Sequence, residues 1–196
     1  MRMGLIALAV LALAGCKEEV ASLPDPVALS VEAVGHYCQM DLLEHPGPKA
    51  QVHLEGLLDP LFFSQVRDAI AYQRMPEQSH AITAIYVNDM AAAGATWENP
   101  GAENWIVAAT AFYVMGSDMA GGMDAPELVP FLRAEDAAAF TAERGGQVVT
   151  LAEVTDADVL TPVQIGAPGG GSEAADSAED EDFEARLKRL SRERQN

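Results

Sequence analysis

The chain has 196 residues, of which 49% are hydrophobic and 21% charged, and its formal net charge at pH 7 is −18. So acidic a protein is a poor match for nucleic acid, whose phosphates are bound by Lys and Arg, and for a membrane contact through a basic patch. Roughly 140 residues remain between two polar ends, which is enough for one domain or for two small ones.

The first fifteen residues have the pattern of a secretory signal peptide. Arg2 precedes an apolar run over 5–14, which is too short to cross a membrane as a mature helix. Residues 13–16, Leu-Ala-Gly-Cys, resemble the lipobox of bacterial lipoproteins, which implies cleavage before Cys16 and lipid on its sulfur. A plain secretory peptide is the alternative. We therefore expect a signal peptide over 1–15, a tether over 16–26 and membrane attachment through the lipid.

Cys38 is then the only free thiol of the mature chain. In an extended segment Cys38 and Met40 leave the same face, with Cα atoms roughly 6.5 Å apart. A thiolate and a thioether are soft donors, which favour Cu(I) over Mg, Ca or Mn. His36 lies on the same face of such a segment and is a secondary candidate ligand. The alternative is that Cys38 and Met40 are ordinary core residues.

The hydrophobic periodicity predicts an α+β fold made of two small related ββαβ units. In the first half we predict strands over 27–34, 37–43, 50–54 and 81–87, with a helix over 61–74. In the second half we predict strands over 105–114, 128–132 and 148–154, a long loop over 116–125 and a helix over 135–143. The predicted units span 27–90 and 91–166. A disordered acidic tail with a possible short helix follows over 167–196.

A methionine-rich loop is the second feature that indicates chemistry. Residues 115–123 hold three of the eight methionines. Gly121 and Gly122 are expected to let the backbone turn sharply, so that Met123 reaches out of the loop. Methionine in a polar loop indicates either that its sulfur is used or that the side chain folds back over the core. A phosphate-binding loop is poorly supported because the sequence has no G-x-G-x-x-G and no G-K-[ST], and Lys is scarce.

Catalysis by a Cys-His pair is a second hypothesis, with His36 or His45 as the base for Cys38. No oxyanion loop or G-x-S-x-G motif accompanies the pair, so we do not expect an enzyme. Zinc needs about four Cys, His or carboxylate donors, whereas the sequence has no second free Cys and no H-x-x-x-H. Zinc is therefore a weaker candidate metal than copper. A structural lipoprotein without metal is the third hypothesis.

The chain contains an ordered set of motifs behind the lipobox, namely Tyr37-Cys38-Gln39-Met40 and residues 45–49, 84–90, 111–117 and 122–131. This ordered set resembles the NosL family of accessory lipoproteins for nitrous oxide reductase. The resemblance implies a periplasmic, lipid-anchored Cu(I) chaperone and a fold like that of organomercurial lyase. Its implied partners are apo nitrous oxide reductase, whose copper centres it serves, and an associated ABC-transporter complex.

The resemblance also implies the ligands. Cys38 and Met40 match the ligand pair of the family, Met123 is the best match for a third ligand, and Met119 and Met90 are reserves. The family motif is usually Cys-Gly-Met, and Gln39 takes the place of the glycine. We expect its side chain on the opposite strand face. Lys17 follows the lipidated cysteine where inner-membrane lipoproteins usually have aspartate, which favours the outer membrane.

Overall fold

The computed structural model of the chain describes residues 22–76 and 78–162. The signal peptide, Cys16 and the acidic tail lie outside these residues. The strands are β1 Ala50–Leu54, β2 Leu61–Phe63, β3 Ile82–Asn88, β4 Trp105–Val107, β5 Phe112–Ala120, β6 Pro126–Phe131 and β7 Gln147–Thr150. The helices are α1 Val66–Arg74, α2 Ala134–Arg144 and α3 Asp156–Leu160. None of these described helices has the length and apolar character needed to cross a membrane.

Two antiparallel sheets form the framework. The first has the strand order β2-β1-β3-β4 and the second β6-β5-β7. In both sheets the first strand of a ββαβ sequence is central and pairs with the two strands that follow it. The predicted α+β class and the two ββαβ units are therefore confirmed. The boundaries at 27–90 and 91–166 stay a prediction.

One hydrophobic core joins the two units, because strands of both sheets pack against α1. Buried members from both halves are Val52, Phe63, Ile70, Val87, Tyr113, Leu128 and Val149. Helix α2 covers the other side of the second sheet, where Val114, Val129, Phe131 and Ala137 form a smaller core. Since the first core includes residues of both units, α1 has a fixed position relative to β6.

The strand predicted over 27–34 is wrong. The side-chain amide of Gln51 takes the place of a strand partner, accepting from Val27 N at 2.8 Å and donating to Val27 O at 2.9 Å. His53 Nε2 lies 2.8 Å from Gln51 Oε1, and burial lowers the pKa of this histidine. The polar side chains of β1 are therefore buried on the face opposite the core, where the segment before Gly35 covers them.

Four other element boundaries differ from the predictions. The closing strand predicted over 148–154 ends at residue 150, where a turn follows. The helix predicted over 61–74 starts only at Val66, because residues 61–63 pair with β1 as a strand, which suits their aromatic side chains. The strand predicted over 105–114 is interrupted by a 3₁₀ turn at Ala108–Thr110. The loop predicted over 116–125 is shorter, because β5 continues to residue 120.

Candidate metal centre

Residues 31–43 form a hairpin, called the site hairpin below, and not the extended segment predicted over 37–43. Val34 and Asp41 form an antiparallel bridge, and Gly35 N donates to Met40 O at 3.0 Å. A turn covers residues 36–38, and Gln39 has a φ of 55°. The prediction that Cys38 and Met40 share a strand face is therefore wrong, because chain reversal and not strand alternation relates them.

The thiol of Cys38 lies inside the site hairpin and is half-buried. Its Sγ lies 3.8 Å from Ser64 Oγ, just before α1. The sulfur packs so closely on Gly35 that a β-carbon at that position would collide with it. Met40 is 43% exposed. The thiol therefore faces a hydroxyl group within the protein, while the thioether of the same motif is at the surface.

The loop that carries Met123 lies against the dipeptide Ser64-Gln65. Met123 N donates to Gln65 Oε1 at 2.6 Å, while Ser64 contacts the Cys38 thiol. Gln65 is fully buried, and its Nε2 has no hydrogen-bond partner among the described residues. Two adjacent residues thus hold the thiol segment and the methionine loop at one place in the fold.

Gly121 and Gly122 are needed for close approach and not for the sharp turn that the sequence led us to expect. A β-carbon on Gly122 would lie 2.8 Å from the His45 Cβ, and one on Gly121 would lie 2.6 Å from a carboxylate oxygen of Glu127. Neither glycine has a positive φ, whereas Asp124 has one of 57°. The paired glycines therefore let the loop lie directly on the segments that surround the thiol.

His45 is oriented by this loop. Its Nδ1 lies 3.0 Å from the carbonyl oxygen of Gly122, so Nδ1–H donates and the lone pair is on Nε2. Nε2 is buried and has no hydrogen-bond partner within the described part of the chain. Metal-bound histidines commonly donate their other ring N–H to a carbonyl in this way. The sequence placed His45 near the thiol, but only the structure shows this free nitrogen.

The secondary candidates are placed differently. The ring of His36 packs in an aromatic cluster, 5.4 Å from the ring of Tyr37 and 5.6 Å from those of Phe63 and Tyr72. Because His36 begins the turn, its predicted place on a shared strand face is wrong.

Of the two reserve methionines, Met90 packs against the smaller core beneath α2. Met119 is half-buried near the end of β5. Among the described residues no three His, Cys, Asp or Glu side chains are grouped so that they could hold a metal ion.

A buried lysine and a buried glutamate lie beneath the site. Lys49 is 1% exposed, and its Nζ donates to Pro46 O at 3.0 Å and to Gly47 O at 2.5 Å. Burial lowers the pKa of Lys49 to about 8, against the opposing charges of Glu127 and Cys38. A cation near the sulfur is complementary to a thiolate ligand.

Glu127 is 2% exposed and caps helix α1 from β6. Its carboxylate accepts hydrogen bonds from Val66 N at 3.3 Å, Arg67 N at 3.0 Å and Leu128 N at 2.8 Å. Burial raises the pKa of Glu127 to about 8, although these backbone donors and Lys49 act in the other direction. The first turn of α1 and the residues before it are thus attached to the second sheet.

The fold and the site together define a two-sheet α+β protein in which one dipeptide holds a thiol segment and a methionine loop. The NosL family model matches residues 26–159. The copper-binding lipoprotein NosL of Achromobacter cycloclastes is 57% identical over 190 residues, which cover 97% of this chain and 95% of that protein. The chain therefore belongs to the NosL family, as the motifs predicted.

Two further relatives agree with this membership. The copper-binding lipoprotein NosL of Stutzerimonas stutzeri is 33% identical over 148 residues, which cover 74% of this chain and 75% of that protein. The crystal structure of the copper chaperone NosL from Shewanella denitrificans matches with a TM-score of 0.61 at 29% identity. That match covers 68% of this chain and 99% of the crystallised chain.

A first prediction concerns Gln39, whose positive φ is costly for any residue except glycine. Its side chain offsets part of this cost by donating from Nε2 to His36 O at 2.7 Å. We expect Gln39→Gly to leave the free energy of unfolding unchanged or to raise it by up to about 1 kcal/mol, and Gln39→Val to lower it by about 1–2 kcal/mol. Urea unfolding measures both. Equal stability of the two variants would contradict the strained turn.

A second prediction follows from Glu127. Because its folded pKa of about 8 is above the ordinary value of 4.5, the folded state binds the extra proton between these pH values. Its contribution to the free energy of unfolding therefore falls as the pH rises from about 4.5 to about 8. Glu127→Gln should remove this decline, whereas the exposed control Glu98→Gln should keep it. The free energy of unfolding is measured with denaturant across this pH range. If wild type and Glu127→Gln showed parallel dependence of this free energy on pH, the prediction would be refuted.

Proposed function

We propose that the chain is a periplasmic, lipid-anchored Cu(I) chaperone that supplies copper for assembly of the copper centres of nitrous oxide reductase. The observation that carries this proposal is the Ser64-Gln65 dipeptide, which contacts both Cys38 and the backbone of Met123. The printed names of the relatives, copper-binding lipoprotein and copper chaperone, support the metal and the carrier role. The lipobox at Cys16 supports attachment to a membrane, with the outer membrane favoured.

The proposed ligands are the sulfurs of Cys38, Met40 and Met123, and we add His45 Nε2 as a further proposed donor. Cu(I) prefers soft thiolate and thioether ligands and also accepts imidazole. The buried, unpaired Nε2 supports the addition, because a buried polar atom without a partner is costly unless a ligand uses it. Met40, at the surface, is the ligand that an acceptor can displace first.

The same arrangement of ligands also accounts for the release of copper in this proposal. A half-buried thiol protects copper from solvent, and an exposed thioether leaves one side of the ion open to ligand exchange. The proposed partners are apo nitrous oxide reductase and the associated ABC-transporter complex. The chain acts as a carrier in this proposal and not as an enzyme. A thiol-dependent enzyme would instead turn over substrate without copper, and a structural lipoprotein would take up no Cu(I).

A third prediction tests the ligands. Anaerobic titration against a competing chelator should show one Cu(I) per wild-type chain and no stoichiometric binding by Cys38→Ser. Met40→Leu and Met123→Leu should each weaken binding about tenfold, which corresponds to about 1.4 kcal/mol. Met90→Leu is the matched control and should bind as wild type does, because Met90 packs in the smaller core. Retention of wild-type affinity by a Cys38→Ser protein with an unchanged circular dichroism spectrum would refute the proposal.

X-ray absorption of the loaded protein gives an independent reading of the same prediction. The wild type should show sulfur scatterers together with one imidazole nitrogen. His45→Gln should lose the nitrogen and keep the sulfurs. A spectrum with only nitrogen and oxygen neighbours would contradict the proposed ligand set.

A fourth prediction concerns Gln65 as the residue that positions Met123. Gln65→Leu keeps a similar volume but removes the acceptor for Met123 N–H, so Cu(I) affinity should fall about as much as in Met123→Leu. Because Gln65 acts through Met123, the double variant should fall no further than either single variant. If Gln65 had a purely structural role, the two losses of Cu(I) affinity would instead multiply in the double variant. Chelator competition measures the Cu(I) affinity of the two single variants and of the double variant.

A further inference from the structure

The site hairpin carries exposed apolar side chains at every third position. These are Val31 at 76% exposure, Val34 and Tyr37 at 46%, Met40 at 43% and Leu43 at 47%. Exposed apolar residues that occur singly need no explanation, whereas a concentration of them marks an interaction site. In the sequence these exposed residues lie on both sides of Cys38, and they include Met40, a proposed copper ligand.

A groove beside the hairpin adds charge to this surface. The groove has a volume of about 600 Å³. Glu32 and Val34 line it from the site hairpin, and Asp59 and Phe62 line it from the opposite side. Neither Lys nor Arg lines it, and none occurs between residues 22 and 48. A groove lined by apolar side chains and two carboxylates matches a Lys or Arg side chain, which has an apolar stem and a cationic head.

We propose that the site hairpin and this groove form the docking surface for the copper acceptor, a protein that presents Lys or Arg beside an apolar patch. The inference rests on the proposed function and specifies the acceptor's surface. Ligand exchange requires the acceptor's ligands to reach Met40, so docking has to cover the hairpin. Opposite charge at its border speeds encounter and sets orientation, while the apolar residues determine how long the complex lasts.

Other occupants fit this surface less well. The carboxylates Glu32 and Asp41 are exposed on the hairpin and Glu44 is exposed just after it, so an anionic lipid surface is repelled from it. A second copy of the chain would bring the same acidic groups against each other, on top of a net charge of −18. Charge complementarity therefore favours an acceptor protein that has Lys or Arg at the edge of its contact surface.

The test measures association of the Cu(I)-loaded chain with purified apo nitrous oxide reductase and, separately, with the ABC-transporter complex. The double variant Glu32→Gln/Asp59→Asn should lower the association rate about tenfold and reduce its dependence on salt. Leu43→Ser should raise the dissociation rate about tenfold. Glu98→Gln and the exposed Leu132→Ser are the matched controls and should behave as wild type.

Chelator competition is run on every variant and should give unchanged Cu(I) affinity, because none of these residues is a proposed ligand. The docking proposal is overturned if the hairpin variants associate as wild type does, or if the controls lose as much. It is also overturned if wild type binds neither acceptor, or if this face instead mediates self-association or binding to anionic vesicles. Failure of the proposed function is a separate result, namely the absence of Cu(I) binding in the titration.

Discussion

A buried carboxylate at the start of a helix is the contact on which the rest of the structure depends. Glu127 reaches from β6 to the first backbone N–H groups of α1, where no residue of the helix itself provides a cap. A helix N-terminus carries unpaired donors and a partial positive charge, so an acceptor there is stabilising. The contact determines where α1 begins relative to the second sheet, and thereby where Ser64 and Gln65 lie.

The candidate site is a consequence of that position. Ser64 contacts the thiol of Cys38, Gln65 holds the backbone of Met123, and paired glycines let the methionine loop lie close to His45. The groups beneath are buried and mostly hydrogen-bonded, which keeps the segments in one arrangement. The outer part, which includes Met40, is exposed. A buried inner side and an exposed outer side suit the proposed binding and transfer of a metal ion.

The buried polar atoms without hydrogen-bond partners also support a proposed ligand site here. Buried polar atoms almost always have a hydrogen-bond partner. His45 Nε2 and Gln65 Nε2 lack one among the described residues, and both belong to residues that contact the methionine loop. The buried side chains of Lys49 and Glu127 lie beneath them. Such a concentration of buried polar groups costs stability, and it fits the proposed ligand site.

The sequence by itself indicated which residues could supply soft donors, and it predicted part of the order of the elements. Soft donors follow from residue type alone, and strand 50–54 and the two long helices follow from local periodicity. Three features required the tertiary structure. The turn at 36–38 depends on a left-handed Gln39, the start of α1 depends on Glu127 about sixty residues away, and segment 27–34 pairs with a side chain. Local patterns report local preferences, whereas caps and close contacts arise only when distant segments meet, and this is why the site's geometry could not be read in advance.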